Sequence, residues 1–189
     1  MNLQKINWKI YFKSAVAAKP DIFFKVFNTW IPDSPEIFVD VADYRHVHDG
    51  PLVLLAGHYV DYALDHTDRR LGFLSGQKGG IQGDLAERIQ SSLLEFLKAA
   101  QRLEKDPAFG GKLDFATNEL LFIANDRALA PNTSATFSEI KPILYKILSR
   151  IFESKELNME HLPNPKQRFS VKITCKQESD LKQMIDRLS

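Results

Sequence analysis

The sequence predicts an α+β fold, with a largely antiparallel sheet of about six or seven strands and helices packed mainly on one face. Three observations predict it. The segments Lys5–Lys13 and Arg168–Lys176 alternate apolar and polar residues with period two, the signature of half-buried strands. Between Glu36 and Ser75, short apolar runs are joined by connections of a few residues, which suit a meander and not helical crossovers. Two long segments, about 84–104 and 138–152, carry apolar residues at helical spacings of three and four.

In the first strand Ile6, Trp8, Ile10 and Phe12 face inward, while Lys5, Lys9 and Lys13 form a ladder on the other face. A solvated edge strand that uses lysine to deter edge pairing explains the ladder. Nucleic-acid binding would want aromatic residues on that same face, and only Tyr11 qualifies. A short helix opened by Pro20 and Asp21 follows. It aligns Ile22, Phe23, Val26, Phe27 and Trp30, and Pro32 and Pro35 end it. Phe24 falls off that apolar face, where it would be free to touch a partner.

Strands are expected at Glu36–Asp43, Leu52–Gly57, Tyr59–Leu64 and Leu71–Ser75. Asp49-Gly50 supplies one turn, and Asp65-His66-Thr67-Asp68 another. Gly76 to Gly80 reads as a flexible connector, lacking the spacing of a phosphate-binding loop. The helix from about Asp84 to Glu104 shows a clean stripe through Leu85, Ile89, Leu93, Phe96 and Leu97. Glu119–Ala124 is a further strand. Thr136 and Glu139 have the form of a capping box ahead of the second long helix. Asn158–Pro165 reads as a polar loop. In the last strand Phe169, Val171, Ile173 and Cys175 face inward, and Ser179-Asp180 cap a final short helix. The 189 residues are expected to form one domain, with the long helix covering the sheet.

Bulk composition narrows function by exclusion. The chain has 25 basic and 24 acidic residues, without the basic excess expected of a protein that works on the phosphate backbone, so no nucleic-acid partner is expected. Hydrophobic residues make up 44%, and no run is long enough for a membrane span. With a single cysteine, Cys175, no intramolecular disulfide can form, and its inward phase predicts an inert core thiol. The opening residues lack the pattern of a signal peptide, so a cytoplasmic location is expected. No cofactor is predicted.

The densest polar cluster runs from Asp40 through Tyr44, His46 and His48 to Pro51, then from Gly57 to Tyr62. These residues, of the form DVADY-x-HV-x-DGP followed by GH-xx-DY, resemble a family of uncharacterised bacterial proteins. That family carries no established activity, so the resemblance implies no catalytic roles. Read chemically, His58 and Asp61 form the candidate acid–base pair, since a carboxylate can orient an imidazole that titrates near neutral pH. His46, His48 and Tyr62 are candidate ligand-binding residues. The histidines at 46, 48 and 58 also raise the reading of a metal site, because a His-x-His strand segment points both rings to one face. No serine lies in a nucleophile-elbow context.

Three classes of function follow. The first is a small-ligand binding protein, or an enzyme without a recognised signature, using the cluster at 40–62. The second is a structural or regulatory module that engages itself or another protein. The third is a metal-dependent protein using His46, His48 and His58. The first leads, because such clusters beside tight turns are where sites are grafted onto folds.

Overall fold

The computed structural model describes residues 1–15, 17–47, 50–154, 156–164 and 166–189. Its elements run β1 (Ile6–Phe12), α1 (Pro20–Asp33), β2 (Phe38–Asp43), β3 (Pro51–Gly57), β4 (Val60–Asp65), β5 (Gly72–Gln77), α2 (Leu85–Glu104), β6 (Phe115–Ala124), α3 (Ser134–Ile151), β7 (Leu157–His161), β8 (Phe169–Cys175) and α4 (Leu181–Leu188). The fold is α+β. Among the described residues the strands form one antiparallel sheet in the order β2-β3-β4-β5-β1-β6-β8-β7.

Connectivity explains that order. The chain runs strand, helix, antiparallel strands, helix, and then repeats the sequence: β1–α1–(β2 to β5)–α2, followed by β6–α3–(β7, β8)–α4. In each half the last strand returns to pair with the first, β5 with β1 and β8 with β6. The two opening strands then pair with each other, antiparallel, at the centre of the sheet.

One face of the sheet carries the main core. Trp8, Ile10, Leu55, Phe73, Phe122 and Ile173 pack there with the buried faces of all four helices. Trp8 is fully buried and its indole N–H donates to Ser92 on α2. That face excludes water along a stripe from each helix, which is the dominant favourable term in holding such layers together. The opposite face has a small apolar patch, made by Tyr11, Leu121 and Ile123 with Leu74 and Leu162. Among the described residues no helix contributes to that patch, so this face is open.

Several sequence expectations change. The sheet has eight strands, because the expected polar loop at 158–165 begins as β7, whose alternation is short and whose apolar members are only Leu157 and Met159. Gly76 belongs to β5, since it pairs with both Asn7 and Asp61. The expected capping box at Thr136 is displaced: Thr133 caps α3 and Thr136 is buried within its first turn. The reciprocal box sits on α2 instead, where Asp84 and Glu87 satisfy each other's backbone N–H. Most consequential, β1 is a central strand and not an edge, and Lys9 is 1% exposed. The register expected for β1 holds, with Trp8 in the core. Cys175 is buried, facing the core. Among the described residues no helix is long and apolar enough to cross a membrane.

Candidate functional site

The residues singled out in the sequence are dispersed by the fold. His46 lies in the loop after β2, where Arg45 binds Asp43 and Asp21 and holds the Asp43 carboxyl down at about 2 through its hydrogen bonds. His48 lies outside the described residues, as does Asp49. His58 sits in the turn beyond the other end of β3, packed edge-on against Tyr59. Seven strand residues separate the two ends by roughly 20 Å, too far for His46 and His58 to share an ion. Among the described residues no group of three or more His, Cys, Asp or Glu side chains is placed to hold a metal.

The Asp61 side chain is engaged by the β3–β4 turn and by Lys78. The Asp61 carboxylate accepts the Gly57 backbone N–H at 3.0 Å and lies 2.8 Å from the Lys78 ammonium, which itself donates to the Gly57 carbonyl. Asp61 thus clamps the β3–β4 turn. Gly57 is needed there, because a Cβ would stand 2.1 Å from the Val60 carbonyl oxygen. Tyr62, the next residue on β4, points to the other face of the sheet, stacked on Phe73 in the core.

The open face holds a different constellation. Lys9 projects from β1 between Leu74 of β5 and Leu121 of β6. Its ammonium donates to Asp65 at 2.7 Å, to the Arg70 carbonyl at 2.8 Å and to Asp68. Gly72 makes room for the lysine chain, since a Cβ there would come within 2.7 Å of it. A buried charge is costly unless paired and hydrogen-bonded, and Lys9 meets both conditions. The Tyr11 hydroxyl donates to Asp68 at 2.6 Å, and the Arg70 guanidinium lies 3.8 Å from the centre of the Tyr11 ring. Arg70 also grips Glu119, which Lys172 approaches at 3.3 Å.

The electrostatics follow from these contacts. Burial raises the Tyr11 proton affinity well above the ordinary phenol value, and the bond to Asp68 adds to it. Burial opposes ionisation of Asp68, yet hydrogen bonds from Lys9 and Tyr11 outweigh it and hold the carboxyl below its usual range. Glu119 is likewise held low, because Arg70 and Lys172 together overcome its burial. Lys9, Arg70 and Lys172 therefore balance Asp65, Asp68 and Glu119, a closed network of three cations and three carboxylates.

Beside this network lies a cavity of about 380 Å³, within the range of small-molecule sites. Its floor is Leu74, Leu121 and Ile123, with Leu162 as a wall. Five basic side chains (Lys9, Arg127, Lys166, Arg168 and Lys172) and two acidic ones (Asp65 and Asp68) line it. Among the described residues, Arg127, Lys166 and Arg168 have no carboxylate within 4.0 Å. The Arg168 guanidinium reaches the Asn125 side chain, at 3.4 Å. Asn132 fixes this rim: its amide N–H₂ donates to the carbonyls of Leu162, Asn164 and Arg168, and its oxygen meets His161 Nε2 at 2.6 Å.

Fold and site together define an α+β protein with an open sheet face that carries a cation-rimmed, apolar-floored cavity. No protein-family model matches the chain, and no curated protein matches its sequence.

Proposed function

We propose that this protein binds a small anionic molecule with an apolar body on the open face of its sheet. One observation carries the reading. The cavity over Leu121 and Ile123 has five basic side chains against two acidic ones, and three of the basic groups have no carboxylate partner among the described residues. An apolar floor gains from covering hydrocarbon, and guanidinium groups hold a carboxylate or phosphate by charge-assisted hydrogen bonds. Lys9 and Tyr11 serve as the fixed wall of the site. Both are committed to the carboxylate network, and the Tyr11 phenol keeps its proton in the neutral range.

Calorimetric titration with octanoate, octyl phosphate and octanol tests this. The two anions should bind saturably, more weakly as salt is added, while octanol at matched concentration should not. Replacing Arg127 and Arg168 by alanine should weaken octanoate at least tenfold, since a charged hydrogen bond contributes about 1.5–3 kcal/mol. Equal binding of octanol, or an unaffected double variant, refutes the proposal.

Self-association is a second reading with one observation behind it. The edge strand β2 leaves Val39 70% exposed, and Ile37 just before it 62% exposed. Open apolar edges are where strands pair between copies. Sedimentation of the protein and of a Val39→Lys variant separates the readings, because only self-association through β2 makes the mass of the species depend on Val39.

A further inference from the structure

On the helix side of the sheet, a second cavity of about 450 Å³ opens between the end of α1 and the middle of α2. Tyr62 and Ser75 form part of its floor, and Trp30, Glu36 and Arg102 stand around it. The aromatic groups are already ordered. Tyr62 stacks on Phe73 with ring centres 5.4 Å apart, and Trp30 meets Tyr62 edge-on at 5.8 Å.

Among the described residues, three polar groups in these walls lack their natural complements. Trp30 is 2% exposed, and its indole N–H has no acceptor. Glu36 Oε1 is buried with no donor. The Arg102 guanidinium lies 4.4 Å from the centre of the Trp30 ring and, among the described residues, has no carboxylate within 4.0 Å. The neighbouring Glu95 and Lys98 satisfy each other at 2.8 Å. Native proteins pair nearly all buried polar atoms, so unpaired atoms of both kinds beside one cavity call for an explanation. Burial raises the proton affinity of the Tyr62 hydroxyl, the carboxylates of Glu95 and Glu36 add to it and Arg102 opposes it, so groups of both charges act on the same cleft.

We propose that this cleft binds a ring-bearing zwitterion of the aromatic amino-acid class. Its ammonium donates to Glu36, its carboxylate draws Arg102 off the indole and accepts the Trp30 N–H, and its ring lies against Tyr62. Each of the three unpaired groups then has its partner. The site sits on the opposite face of the sheet from the anion cavity, and neither depends on the other.

The test uses L-phenylalanine, phenethylamine and 3-phenylpropionate, which share a ring and differ in charged ends. The readout is the pair of indole N–H cross-peaks in a ¹H–¹⁵N spectrum, one for each tryptophan. Trp8, bonded to Ser92, serves as the internal reference. L-Phenylalanine should move the Trp30 peak downfield and saturably while Trp8 stays in place. Reading at Trp30 keeps any phenylpropionate on the open face from registering. Each ligand with one charge should bind at least tenfold more weakly. Glu36→Gln should weaken L-phenylalanine and phenethylamine but spare 3-phenylpropionate. Arg102→Met should weaken L-phenylalanine and 3-phenylpropionate but spare phenethylamine. The proposal fails if no ligand moves the Trp30 peak, if all three bind alike, or if each variant weakens all three equally.

Discussion

Replacing Lys9 by methionine tests the central feature of the open face. The methionine chain still fills the channel beside Gly72, so the substitution removes the charge and little else. It leaves the charge of Asp65, whose side chain is 3% exposed, with hydrogen bonds from Thr67 but no counter-ion, and takes one donor from Asp68. Removing one partner of a buried ion pair costs about 3–5 kcal/mol, chiefly as the penalty of the charge left behind. In a domain of this size each kcal/mol moves the melting temperature by about 2–4 °C, so Lys9→Met should melt roughly 6–20 °C lower. Adding Asp65→Asn should recover part of the loss, because an amide is far less costly to strand than a carboxylate. Urea unfolding followed by circular dichroism measures both variants. A loss under about 1 kcal/mol for Lys9→Met, or a double variant no more stable than the single one, refutes the role given to the buried ammonium.

Asn132→Ala should cost about 1–3 kcal/mol by taking a partner from His161 and from the carbonyls of Leu162, Asn164 and Arg168, of which Asn164's keeps the Gln167 N–H, and should raise amide hydrogen exchange at Leu162, Asn164 and 166–168. Octanoate binding should weaken with it, because Lys166 and Arg168 ride on that segment; unchanged exchange there would show that Asn132 does not hold the rim. Gly57→Ala should destabilise by about 1–3 kcal/mol through the clash with the Val60 carbonyl, and an unchanged urea midpoint would contradict the turn geometry. Stability should fall above pH 10. Tyr11 and Tyr62 both have raised proton affinity, chiefly from burial, so the unfolded chain releases these protons near pH 10 while the folded chain keeps them. The slope should approach about 1.4 kcal/mol per pH unit for each tyrosine, and Tyr11→Phe should remove one share. A midpoint that stays flat to pH 11 would refute this.

What was legible in the sequence was local. Alternation fixed which residues of β1 and β8 face the core, because strand side chains point to opposite faces by turns. The stripe on α2 is likewise a property of residues close together in the chain, whereas the Asp84–Glu87 box emerged only in the structure. The candidate site was read less well. Asp61 and Tyr62 were legible as neighbours, but neighbours on a strand are the pair that a sheet separates.

Tertiary structure alone decided depth and partnership. Alternation says that Lys5, Lys9 and Lys13 share a face, but the burial of that face depends on where β1 sits in the sheet. That position comes from pairing with β5 and β6, strands more than 60 and 100 residues away. The acids that neutralise Lys9 lie 56 and 59 residues along the chain, in a turn whose composition looks like any solvated turn. Arg127, Lys166 and Arg168 come from two separate connections, one on either side of α3 and β7, and meet over Leu121 and Ile123 only because β6 and β8 are adjacent. Periodicity along a chain encodes which way a side chain points. What it meets there is set by contacts between distant segments, which no local pattern records.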